Sequence, residues 1–151
     1  MSQEDVLIEV VSEVDQELVD AWVRLLPQLS STAAAVTAQV LEPIVASGGT
    51  TLLVARVHGQ IVGSLSVVVF VIPTGTRAWI EDVVVDAAAR GRGAGEALTR
   101  AAITFATQRG ARTVDLSSRP SRQAANRLYQ RVGMQPRETI VYRYATADHP
   151  L

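Results

Sequence analysis

The stretch Val83-Val84-Val85-Asp86-Ala87-Ala88-Ala89-Arg90-Gly91-Arg92-Gly93-Ala94-Gly95-Glu96-Ala97-Leu98 reads as a buried strand, a glycine-rich turn and a helix start in immediate succession. Three β-branched residues favour the strand. Gly91, Gly93 and Gly95 then strip side chains from a loop whose N–H groups point outward at a helix N-terminus. Those donors, the helix macrodipole and the guanidinium groups of Arg90 and Arg92 form a cradle suited to a pyrophosphate. A tight turn between strand and helix explains one glycine. Three glycines with two flanking arginines point to a bound cofactor.

At 151 residues the chain has room for one well-buried domain and is too short for two ordinary ones, so residues 1–151 read as a single domain. A hydrophobic content of 48% with 6 Pro and 10 Gly is that of a globular chain. The apolar run Val67 to Ile72 is far too short to span a bilayer, and Met1-Ser2-Gln3-Glu4-Asp5 carries acid where a signal peptide carries base. A cytoplasmic protein without membrane attachment is expected. The absence of cysteine excludes disulfides, thiolate metal sites and a thiol nucleophile, and no metal is expected.

The charges are sorted along the chain. Residues 1–89 hold 11 acids and 3 arginines, a net −8, whereas residues 90–151 hold 4 acids and 11 arginines, a net +7. Every basic residue is arginine, which suits bidentate phosphate contacts or reflects a coding preference. A basic half carrying the glycine loop fits a polyanionic cofactor; nucleic acid needs a stronger positive balance.

Strand signals fall at Val6 to Val11, Thr51 to Arg56, Ile61 to Ile72, Trp79 to Val85, Thr113 to Ser117 and Glu138 to Tyr144. Helical spacing covers Gln16 to Leu26 and Ala33 to Ala46, the second opened by Ser31 or Thr32 as a cap and kinked or ended by Pro43. His58-Gly59 between two apolar runs predicts a hairpin turn, which makes His58 a solvated turn residue, and His149 lies in a tail. Glu96 to Gln108 predicts a helix stopped by Gly110, and Pro120-Ser121 opens another through Leu128 and Tyr129 to Gly133. The predicted order is β-α-α-β-β-β-α-β-α-β.

A dinucleotide-binding loop is the first family to weigh, since Asp115 lies 20 residues beyond Gly95. Glu96 stands where that fingerprint wants a third Gly or Ala, and only 56 residues remain after Gly95. Arg90-Gly91-Arg92-Gly93-Ala94-Gly95 instead resembles the Arg/Gln-x-x-Gly-x-Gly/Ala pattern of the GCN5-related N-acetyltransferase (GNAT) family. The hairpin at His58-Gly59, the helix ending at Gly110 and Asn126-Arg127-Leu128-Tyr129-Gln130-Arg131-Val132-Gly133-Met134 follow in that family's order. Trp79-Ile80-Glu81-Asp82-Val83-Val84-Val85 resembles the corresponding strand of glucosamine phosphate N-acetyltransferases. The likeness covers about residues 50–144.

This resemblance implies an α/β (α+β) fold, a mixed and mostly antiparallel sheet flanked by about four helices, and acetyl-CoA as donor. It implies that the Val83, Val84 and Val85 strand splays from its neighbour and hydrogen-bonds the pantetheine arm, with a backbone N–H there meeting charge on the thioester oxygen. Gly91, Arg92, Gly93, Ala94 and Gly95 hold the pyrophosphate and Arg90 is the motif's basic position. Tyr129 stands where the family places a general acid for the departing thiolate, a role that a phenol of pKa about 10 can fill; its bland alternative is a packed ring. Glu81 is the first candidate for the base or for holding a base water. Asp82, on the opposite face by alternation, is the second, and many relatives use water alone. Seven residues before Tyr129, where the family often has asparagine, stands Arg122; Asn126 could substitute, or Arg122 could reach a CoA phosphate.

With no cysteine to carry an acyl group, transfer is expected to be direct. The implied function is an acetyl-CoA-dependent N-acetyltransferase acting on a primary amine of a small molecule or peptide. A non-catalytic acyl-CoA sensor and a nucleotide-binding domain are the competing readings. The resemblance implies that acceptor choice comes mainly from the first two helices and the loops between Ile72 and Trp79, which carry no recognisable signature. The apolar strand Val67 to Ile72 and the C-terminal strand offer surfaces for a homodimer.

Overall fold

The apolar runs on either side of His58-Gly59 fold back on each other because both turn residues adopt left-handed backbone, φ 50° and 80°, as the tightest hairpin turns require. The computed structural model describes residues 5–146 and residue 148, so His149 lies outside the described residues. Two compact units are present, one ending at Leu116 and one beginning at Ser117. The first contains β1 (Val6–Val10), α1 (Gln16–Leu29), α2 (Ala38–Ala46), β2 (Thr50–Val57), β3 (Gln60–Ile72), β4 (Gly75–Val85), a 3-10 turn (Ala87–Ala89), α3 (Ala94–Gln108) and β5 (Val114–Asp115). The second contains α4 (Gln123–Arg131). No helix among the described residues is long and apolar enough to cross a membrane.

The five strands form one sheet in the order β1-β2-β3-β4-β5, antiparallel except for the β4–β5 pair. Alternation along β2 sends Leu53 and Ala55 to one face and Leu52 and Val54 to the other, so both faces carry core. On the first face Leu65, Val67, Ala78 and Ile80 meet Ala94, Leu98, Ala102 and Ala106, a four-residue repeat whose small side chains bring α3 close to the sheet. On the second, Ile61 and Val84 meet Leu18, Ala21, Trp22 and Leu25 of α1 and Leu41 of α2. Leu98 is fully buried, so Leu98→Ala is expected to cost about 2–5 kcal/mol in stability, read as a fall in the denaturant midpoint.

Several boundaries differ from those expected. α2 begins at Ala38 rather than Ala33 because the Ser30 hydroxyl accepts the N–H groups of Thr32 and Ala33, at 3.3 and 3.1 Å, and holds that stretch in a turn. Neither Pro27 nor Pro43 ends its helix; each lies within the last turns, where only one backbone donor is lost. The stretch from Ile72 to Trp79 is not a loop: Gly75–Val85 is continuous strand, closed onto Ile72 by Pro73 and Thr74. The last expected strand, Glu138 to Tyr144, is absent. Its residues have strand propensity, but no described strand pairs with them, and Ile140, Val141, Tyr142 and Tyr144 are exposed.

Candidate active site

β4 contains one residue too many for its partner. Ser64 pairs with Val84 and Ser66 with Glu81, so two steps along β3 match three along β4. The extra residue is Asp82, at φ 52°, a backbone region that Asp tolerates better than most residues. The bulge shifts the phase of the strand. Ala78 and Ile80 face α3 before it, Val83 and Val85 pack there after it, and Val84 joins the α1–α2 side. Simple alternation therefore does not carry through Glu81 and Asp82, and both are exposed. Glu81 shares a strand face with Trp79, whose indole N–H donates to the Glu81 carboxylate at 2.7 Å.

β5 pairs with β4 only at Ala78 and Trp79. Beyond that point, among the described residues, β4 has no partner on its β5 side, while β3 continues along the other side to Val85. The backbone at Val83, Val84 and Val85 thus forms a free edge of the kind that accepts an extended chain.

The chain leaves this edge through a pinned turn. Asp86 donates its N–H to the Val62 carbonyl at 2.7 Å and accepts the Ala88 N–H on its carboxylate at 3.0 Å. Gln28 of α1 accepts the Ala87 N–H at 2.7 Å. Gly91 and Gly93 follow in left-handed conformation, φ 83° and 82°, with Arg90 exposed before them. The α3 ladder starts when Ala97 donates to the Gly93 carbonyl at 3.0 Å, which leaves the N–H groups of Ala94 and Gly95 at the helix start without helical acceptors. Gly95 uses its carbonyl to accept the buried Thr99 hydroxyl at 2.8 Å, and Glu96 accepts from Arg100 at 3.3 Å. Arg92 lines a cleft on the β3 side, together with Arg24, His58, Gln60 and Asp86.

In the second unit, Arg122 is the N-cap residue of α4 and is exposed. Asn126 donates its side-chain amide to the Arg119 carbonyl at 3.0 Å, which ties down the approach to the helix. Tyr129 is 8% exposed. Burial raises its phenol above the ordinary value of 10.0, and the Arg122 guanidinium opposes part of that shift. Glu81 belongs to the first unit and Tyr129 to the second.

A free strand edge that runs through a pinned turn into a left-handed glycine loop is the local geometry expected of one family, and that family's model, acetyltransferase (GNAT) family, matches residues 13–134. The chain belongs to the GNAT family. It is an acetyltransferase. Its fold is similar to that of an aminoglycoside acetyltransferase, meta-AAC0020 from an uncultured soil metagenomic sample, at TM-score 0.81 and 22% identity over 95% of this chain and 97% of that one. That protein has been solved in complex with trehalose and with sisomicin. Aminoglycoside N-acetyltransferase AAC(6′)-Iy in complex with CoA matches at TM-score 0.75 and 18% identity over 92% of this chain and 93% of that one. Glucosamine-6-phosphate N-acetyltransferase from Arabidopsis thaliana matches at TM-score 0.76 and 22% identity over 91% and 98%. At these identities the likeness is one of fold. No curated protein matches the sequence.

Three features of this GNAT chain escape sequence reading. The Asp82 bulge carries no glycine to announce it. The clamp from Gln28 to the turn joins residues 59 apart. The convergence of Arg24 with Arg92 depends on how α1 lies beside the β2–β3 turn.

Proposed function

We propose that this enzyme transfers the acetyl group of acetyl-CoA directly to a primary amine of a small molecule or a peptide, with residues 1–151 acting as one domain. The observation that carries this reading is the free β4 edge at Val83, Val84 and Val85, continuous with a loop in which Gly91 and Gly93 are both left-handed. An extended amide-bearing arm can add to such an edge as a strand does. The N–H groups of Ala94 and Gly95, with Arg90 nearby in sequence, suit a pyrophosphate. The family match runs across the boundary between the two units, which supports a single domain.

Acetyl-CoA supplies a thioester as acetyl donor. Along the β4 edge, backbone N–H groups stabilise negative charge on the thioester oxygen. Glu81 takes the proton of the acceptor amine, directly or through water, and Trp79 holds the carboxylate in place. Asp82, exposed at the bulge beside Glu81, is the second candidate for that base, with water the third. Tyr129 gives a proton to the departing thiolate, while Arg122 and Asn126 are assigned to the cofactor side. Transfer without an acyl-enzyme requires both substrates bound together, so initial-rate plots are expected to intersect rather than run parallel. No cysteine is present to carry the acetyl group.

Release of CoA, followed with a thiol reagent over amino sugars, polyamines, aminoglycosides, amino acids and peptides, tests this reading, since the chain itself contributes no thiol. Turnover on one amine class supports it; tight acetyl-CoA binding with no turnover on any amine overturns it. Glu81→Gln is expected to lower kcat/KM for the amine by roughly 10- to 100-fold at neutral pH, with the loss shrinking as the pH approaches the amine's own pKa. An unchanged kcat/KM at neutral pH would remove Glu81 from the mechanism.

A further inference from the structure

A cleft of about 280 Å³ opens in the first unit between α1, the β2–β3 turn and the segment that follows β4. Sheet order puts β3 and β5 on opposite sides of β4. The β2–β3 turn forms this cleft, so it lies on the β3 side, whereas the free edge faces the β5 side. Arg24, His58, Gln60, Asp86 and Arg92 are its polar lining.

Two observations call for an anion there. The first is an orphan: Nη1 of Arg92 is buried with no hydrogen-bond partner among the described residues. A buried guanidinium donor left without an acceptor is costly, and a turn of the Arg92 side chain into the cleft it lines would let an anion there supply one. The second is the charge count. Arg24 donates to the carbonyls of Ile61 and Asp20, at 3.0 and 3.4 Å, which anchors its guanidinium to the wall without neutralising it. Neither Arg24 nor Arg92 takes part in an ion pair among the described residues. The single lining carboxylate, Asp86, accepts the Ala88 N–H and the Gln28 amide, both on Oδ1, and is in no ion pair with either arginine. Glu17, a second carboxylate within electrostatic reach of Arg24, is already paired with Arg56 at 2.8 Å, so a lone water in the cleft would leave the charges of Arg24 and Arg92 without an ion-paired carboxylate.

We propose that this cleft is a phosphate-binding site. Two guanidinium groups suit the oxygens of a phosphate dianion, and Gln60 at the rim adds a neutral donor. The volume admits a phosphate group with part of a larger molecule attached. Ala88 and Ala89 also line the cleft, so its floor is the turn from which the glycine loop departs. A free anion bound here fixes the Arg92 side chain beside the loop and tightens acetyl-CoA binding, with acetyl-CoA reciprocally tightening the anion, whereas a phosphate of CoA itself would bind in competition with it. The site itself rests on the cleft and not on the acetyl-transfer reading.

Inorganic phosphate titrated into the free protein by calorimetry, with ionic strength held constant, tests the site without any catalysis. Saturable binding at one site is expected, weakened about tenfold or more by Arg24→Met. Because Arg24 also bonds the Ile61 carbonyl, His58→Asp provides a second variant: it keeps a residue tolerant of left-handed backbone before Gly59 and places negative charge at the rim. It is expected to weaken phosphate to a similar degree while leaving thermal unfolding unchanged. Two sources of the phosphate group are then separated by comparing CoA with dephospho-CoA. If the cleft takes the 3′-phosphate of CoA, removing that phosphate weakens binding to the natural chain but not to Arg24→Met, and inorganic phosphate competes with CoA. If it takes a free anion, phosphate and CoA bind together and each tightens the other. Absence of saturable phosphate binding, together with the same CoA to dephospho-CoA ratio in all three proteins, overturns the proposal. Binding that both variants leave intact overturns it equally.

Discussion

Tyr129→Phe is expected to lower the rate constant for acetyl transfer by about 10²- to 10⁴-fold, the range spanned by loss of a positioned acid, while the dissociation constant of acetyl-CoA stays the same. The change deletes one hydroxyl and keeps the ring that is packed away from solvent. Burial favours the neutral phenol and moves its pKa upward, with Arg122 pulling the other way. The sign follows directly. A group whose folded pKa is raised above its unfolded value of about 10 adds stability that is fully present below that value and is lost as the pH rises through the folded pKa. Tyr129 therefore stays protonated throughout the neutral range. Its titration shows as an alkaline limb in kcat above about pH 10, and that limb disappears in Tyr129→Phe. Stopped-flow release of CoA measures the chemical step, and equilibrium binding of acetyl-CoA to both proteins isolates it from cofactor affinity. An unaltered rate in the variant would mean that water protonates the thiolate and that Tyr129 serves packing alone.

Much of this arrangement is legible in the order of residues, because the relevant patterns are local. His58-Gly59 between apolar runs predicts the hairpin that forms, and of the apolar positions Ala97, Leu98, Ala101, Ala102, Phe105 and Ala106 that predict the helix, Leu98, Ala102 and Ala106 are fully buried in the core, joined by Ala94. Gly91 and Gly93 mark the left-handed positions of the loop. Non-local geometry is less visible. Asp82 takes a left-handed conformation that its residue type only tolerates, and the register with β3 creates the need for it. The resulting phase shift puts Val83 and Val85, rather than Val84, on the side of Ala78 and Ile80. Glu138 to Tyr144 has the composition of a strand and remains unpaired, since a ladder requires a partner that local sequence does not specify. The cleft that Arg92 shares with Arg24 and the β2–β3 turn likewise brings together residues distant in sequence.

The glycine loop gives the other large effect. Gly93 is the N-cap of α3 and sits at φ 82°, ψ 13°, where a β-branched residue meets its own backbone. Gly93→Val is expected to cost about 1–3 kcal/mol in stability and to weaken acetyl-CoA by at least about tenfold, because the valine must either strain the cap or turn the adjoining N–H groups away from the ligand. Stability alone does not decide the point, since any left-handed glycine carries a backbone cost. Gly110, at φ 86° beyond the end of α3, supplies the control: a Cβ there meets nothing within 4 Å, so Gly110→Ala isolates that cost at a position remote in sequence from the loop. Chemical denaturation is expected to show both variants destabilised, whereas calorimetry with acetyl-CoA shows the tenfold loss only in Gly93→Val. Equal affinity in the two variants would remove the loop from pyrophosphate binding and leave it as a strand-to-helix turn. A loss confined to Gly93→Val ties the cofactor to backbone N–H groups whose direction depends on the absence of a side chain at one residue.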